Sequence, residues 1–240
     1  MRNTLSEIEK IELLRPVSNE HIKDRHSIPI MQPVTLDMLD WENLFPINIQ
    51  NLSSHSNNSQ SIVFFFRNDT AMRKYWLHPV KYVPLLQTAA LVATPDFSVD
   101  PNMDYEELRH MVYQSRWLGC FWQDRGVPAI PTIVWETSRT YDLCFDSLPN
   151  NSVVALSTIG VKDNLSVFIA GYIEMMKRIS PQLIIVYGDM IDGMWGRFIN
   201  FPYAQCHRRS PHHQQLQLEL KYSKIFEIRR CSNGQSRIIC

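Results

Sequence analysis

A chain of 240 residues, 45% hydrophobic and 20% charged, is long enough to bury one sizeable core and too apolar to stay disordered. Its longest clean apolar run, Ile62 to Phe66, falls far below the roughly 18 residues of a membrane span. MRNTLSEIEKIELL carries acidic residues where a signal peptide has an unbroken apolar stretch, so a cytoplasmic protein without a membrane partner is expected.

The first predicted element is a short amphipathic helix over 3–14, built on Leu5, Ile8 and Leu13 and stopped by Pro16. Residues 17–60 read as irregular, with Pro29, Pro33 and Pro46 followed by the polar run NLSSHSNNSQ, although one or two strands could be hidden there. From 61 the pattern becomes regular. Strands are expected at 61–66, 91–94, 129–135, 153–158 and 183–188. They are continuous apolar runs, which suits strands covered on both faces. Helices are expected between them, over 71–88, 104–125, 139–147 and 164–179. This alternation predicts an α/β fold: a mostly parallel sheet of about five or more strands with covering helices, either an open layered sheet or a partial barrel. In domain terms, 1–60 is an irregular N-terminal segment with a short helix, 61–205 the α/β core domain, and 206–240 a basic C-terminal tail.

The balanced charge hides an asymmetry. Seven Lys and Arg residues fall after Cys206, at 208, 209, 221, 224, 229, 230 and 237, against only Glu219 and Glu227. Such a tail can contact nucleic acid through phosphate attraction. Five cysteines, an odd number spread from Cys120 to Cys240, do not form a disulfide framework. Cys206, His207, His212, His213, Cys231 and Cys240 have the residue types for zinc but none of its usual spacings. Arg116 and Gln123, in the aromatic stretch RWLGCFWQDRG, are otherwise core-helix residues that could reach a ligand.

In a parallel α/β sheet, ligands bind outside the carboxyl ends of the strands. Those ends carry Asp69, then Asp96 and Ser98, then Trp135 and Glu136, then Ser157 and Thr158, and finally Tyr187, Gly188 and Asp189. Asp96 and Glu136 are the candidate acid and base, and Ser98, Trp135, Ser157, Thr158, Tyr187 and Gly188 the candidate ligand contacts. Asp69, Asp96 and Asp189 are the candidate ligands for a divalent cation, the one cofactor the sequence suggests. The bland reading stands beside this one: Asp69 and Asp96 could simply cap the helices that follow them. No Walker, GxGxxG, GxSxG or HExxH motif occurs.

The ordered series ATPDFS, RWLGCFWQDRGVPAIPTIVW, YDLCFDSLPNNSVVALSTIGV and IIVYG resembles a bacterial domain-of-unknown-function family found in phages, plasmids and other mobile elements. The resemblance covers about residues 60–190, with Ser147 standing where a glycine is expected. It implies an α/β fold and a mobile-element setting, and no named activity. Two functions follow as expectations. One is an enzyme acting on a nucleotide or nucleic acid through strand-end carboxylates. The other is a non-catalytic protein of phage or plasmid biology that binds a ligand or partner at the same rim.

Overall fold

The computed structural model describes residues 15, 17, 18, 21–41, 43–202, 225–230 and 236–239. The expected N-terminal helix and the Cys/His positions of the tail lie outside them. Strands β1 (Phe45–Asn48), β2 (Ser61–Phe64), β3 (Leu91–Ala93) and β4 (Ala129–Ile130) form a parallel sheet in that order. Strands β5 (Val153–Ser157), β6 (Leu183–Tyr187) and β7 (Gly196–Phe201) continue in parallel. An antiparallel pair, β8 (Phe226–Arg230) and β9 (Ser236–Ile239), finishes the second sheet.

Pro131 explains why there are two sheets. It has no N–H to donate, so the ladder breaks after Ile130, and the expected strand over 129–135 is cut short. A single parallel bridge, Thr132 to Ala155, carries the order across the break. There Ile133 N donates to Ala155 O at 2.8 Å, and Ala155 N to Pro131 O at 2.9 Å.

The strand series also curls. Phe64 on β2 lies 4.8 Å from Tyr187 on β6 and 6.1 Å from Phe201 on β7, ring centre to ring centre. Four flat strand steps would separate β2 from β6 by about 19 Å. The result is an open, curled sheet and not a closed barrel. Alternate residues explain the unbroken apolar runs. Ile62 and Phe64, Leu91 and Ala93, Ile185 and Tyr187 pack together on the inner face. Val63 and Phe65 point outward onto α1 (Asp69–Leu77), α2 (Pro79–Leu86) and α3 (Tyr105–Gln123). Val154, Leu156, Ile184 and Val186 point outward onto α4 (Tyr141–Phe145) and α5 (Leu165–Ile179).

Residues 17–60 are largely irregular apart from β1, one of the strands that could be hidden there, which starts the sheet. Two expectations need correcting. The helix expected over 71–88 is two helices, divided at His78, whose backbone (φ −129°, ψ 56°) is kept out of the helical region by the proline that follows. Arg116 does not reach toward a ligand. It is 1% exposed, and it donates to the carbonyls of Thr132 (2.9 Å) and Cys144 (3.3 Å), holding the exit of β4 to α4. Burial pulls its pKa down to about 10. Ser147, the departure from the family pattern, is fully buried, and its Oγ has no hydrogen-bond partner among the described residues.

The amino end of the sheet is plugged. Val34 and Trp41 join the inner cluster, Val153 N donates to Val34 O at 2.7 Å, and Leu36 N donates to Gln182 Oε1 at 3.1 Å. At the carboxyl end an opening lies among the strand exits.

Candidate functional site

A cavity of about 490 Å³ sits at that end, within the usual size for a small-molecule site. Phe66 and Arg67 reach it from the exit of β2, Asp96 from that of β3, Trp135 from that of β4, Ser157 from β5 itself, and Phe168 from α5. Parallel pairing puts these strand ends on one edge, and the curl brings them around one space. The Trp135 and Phe168 rings lie 5.1 Å apart. Trp135 fits because α5 has a glycine beneath it: a Cβ on Gly171 would come within 2.1 Å of the indole nitrogen.

Asp96 is the unusual group. Its Oδ1 is buried and has no hydrogen-bond partner among the described residues. Burial pushes its carboxyl up to about 8; its own backbone N–H opposes the rise, and the nearby Asp69 carboxylate adds to it. At neutral pH Asp96 is therefore mostly protonated, a hydrogen-bond donor inside an aromatic-walled space. Arg67 lines the same cavity and makes no ion pair among the described residues.

The other sequence-nominated residues divide into groups. Glu136 shares one property with Asp96, an Oε2 that is buried without a partner among the described residues, but it lies outside the cavity lining. Asp69 accepts hydrogen bonds from Ser98 N (3.1 Å) and Ser98 Oγ (3.2 Å), so these two residues fasten the β2 exit to the β3 exit. The cap of α1 is not Asp69 but Asn68, which accepts from Ala71 N at 2.9 Å. Thr158 donates its hydroxyl to Asp189 O at 2.7 Å, and Tyr187 packs inside the sheet against Phe64 and Phe66. Gly188 has φ +122°, and a Cβ there would meet Thr158 Oγ1 at 2.4 Å. Thr158, Tyr187 and Gly188 do not line the cavity. Among the described residues no three His, Cys, Asp or Glu side chains gather as a metal-binding set, so Asp69, Asp96 and Asp189 do not form one, although the first two are near enough to interact.

Sequence reading missed Phe66, Arg67 and Phe168. Phe66 closes the expected strand 61–66 and Arg67 follows it directly, so both lay next to the rim residues read from the strand ends. Phe168 belongs to a helix stripe and gave no separate signal.

The fold and the cavity define an α/β protein with an open, mostly parallel sheet and a ligand-sized hollow at its carboxyl edge. The chain belongs to the family described as Domain of unknown function (DUF4417), whose model matches residues 25–202. The match extends well upstream of residue 60 and takes in β1. The chain is 32% identical over 168 residues to the Gene 1 protein of Mycobacterium phage D29, covering 69% of this chain and 61% of that protein. It is 36% identical over 129 residues to the Gene 1 protein of Mycobacterium phage L5, covering 52% and 56%. The chain thus spans about 60% of the length of these curated relatives. No solved structure matches it. Among the described residues no helix is long and apolar enough to cross a membrane.

Proposed function

We propose that the protein is an enzyme acting on a nucleotide or nucleic acid, with the carboxyl-edge cavity as its active site and Asp96 as its general acid. The observation that carries this reading is the bare, buried Oδ1 of Asp96 at a ligand-sized hollow. A carboxyl that titrates near neutrality is suited to giving a proton and taking it back. The other walls suit the same ligand class. Phe66, Trp135 and Phe168 offer apolar aromatic surface for a base, and Arg67 offers a cation for a phosphate. The occurrence of relatives in phages accords with a substrate drawn from nucleic-acid metabolism. Any divalent cation would arrive with the substrate phosphates, which commonly supply part of its coordination.

The test is a panel of nucleotides and short DNA and RNA strands, with and without Mg²⁺ or Mn²⁺, read by calorimetry and by product analysis. Asp96→Asn keeps the shape of the side chain and removes the titrating proton. Turnover should fall by about 10²- to 10⁴-fold while affinity changes far less. Full turnover in that variant overturns the reading. Binding without turnover in the unaltered protein replaces it with the non-catalytic alternative.

A further inference from the structure

A second cavity, about 400 Å³, lies between α1 and α3 on the other side of the segment Asp96–Ser98. The two hollows share that wall: Asp96 lines the first and its neighbour Phe97 the second. The second also takes in Arg73 from α1 and His110 and Gln114 from α3. Gln114 is the informative residue. It is only 7% exposed, yet its carboxamide makes no hydrogen bond among the described residues. Its amide is not among the buried atoms left without a partner, so it opens onto the hollow, where a ligand's polar edge can pair with it. A carboxamide offers a donor and an acceptor side by side, the pattern that pairs with two neighbouring positions on the edge of a nucleobase. Arg73 on the same wall suits a phosphate.

We propose, resting on the reading above, that the α1–α3 cavity is a second base-binding subsite and that the substrate is a single-stranded oligonucleotide. One base lies among Phe66, Trp135 and Phe168. Its neighbour crosses the Asp96–Ser98 wall and is read by Gln114. Each hollow has room for one small planar group and neither for a duplex.

The experiment compares a fluorescently labelled, mixed-sequence DNA hexamer with nucleoside 5′-monophosphates as competitors, on the unaltered chain and on Gln114→Leu. The hexamer should bind at least about tenfold more tightly than any mononucleotide, because a second base adds its own contacts. In Gln114→Leu that advantage should shrink to about twofold or less, with mononucleotide affinity unchanged. Gln114→Met serves the same purpose should the leucine variant fail to fold. Equal affinity for hexamer and mononucleotide in the unaltered chain overturns the second subsite and leaves the first standing. So does an advantage that survives in the variants. Failure of every nucleotide and strand to bind overturns the second subsite and the proposed function together.

Discussion

The exits of β3 and β6 look alike in sequence: an apolar strand ends and polar residues follow, Thr94-Pro95-Asp96 in one case and Gly188-Asp189 in the other. Their fates differ. At β6 the polar groups are consumed by the fold. Gly188 N donates to Phe201 O (2.9 Å), Gly188 O accepts from Asn200 Nδ2 (2.7 Å), and Asp189 O accepts from Thr158 (2.7 Å). At β3 the closure stops short. Thr94 Oγ1 accepts from Thr132 N at 2.9 Å, but Asp96 two residues on keeps an oxygen with no partner, at the wall of a hollow. A polar strand end becomes a candidate site where the fold leaves a buried atom unmet, and becomes a joint where neighbouring strands satisfy it.

The contrast is broken or sharpened most strongly by pH. The Asp96 carboxyl is held near 8 in the fold, against an ordinary value of 3.8. Between those values the folded chain keeps a proton that the unfolded chain has lost. Asp96 therefore favours the folded state below pH 4, and this contribution drains away as pH rises toward 8. Asp96→Asn has no such proton. Urea titrations should show the variant gaining stability over the unaltered chain from pH 5 to pH 8, by up to about 4 kcal/mol. A difference that stays flat with pH would mean the oxygen is solvated after all, and the β3 exit is as closed as the β6 exit.

The second largest effect belongs to the closed exit. Gly188→Ala forces a side chain onto a backbone at φ +122° and into Thr158 Oγ1. The strain and the hydrogen bonds put at risk should together cost about 3 kcal/mol. Chemical denaturation reads this directly. A near-neutral result would show that the β6 exit is loose and free to take a ligand.

Much of this arrangement was legible beforehand. Runs such as LIIVY and VVAL announce strands covered on both faces, and βα spacing announces parallel pairing, so the shared edge and the exposure of Asp96 to it followed. What could not be read depends on distance in space. β1 is short and contains Pro46, so it carries no strand signature of its own. It exists because β2 offers it a parallel ladder from Phe45↔Ser61 to Asn48↔Phe64. The curl that brings Phe66 beside Tyr187 is equally silent in the sequence. So is the difference between Asp69, tied down by Ser98, and Asp96, left bare: both are aspartates just past an apolar strand, and only their neighbours' donors separate them.

The smallest effect discriminates most finely, because it sets two adjacent residues against each other. Ser157 lines the cavity, whereas Thr158 turns away and spends its hydroxyl on Asp189 O. Thr158→Val removes one hydrogen bond whose acceptor belongs to an exposed residue, so it should cost about 1 kcal/mol of stability and leave ligand affinity unchanged. Ser157→Ala should do the reverse. Among the described residues its Oγ accepts only a long bond from Ile159 N, 3.2 Å, so stability should barely move while affinity for a cavity ligand falls several-fold. Affinity and denaturation measured on both variants separate wall from joint. If Thr158→Val instead weakens binding and Ser157→Ala does not, the ligand lies over the β6 exit, and Thr158, Tyr187 and Gly188 recover the contact role that the sequence suggested for them.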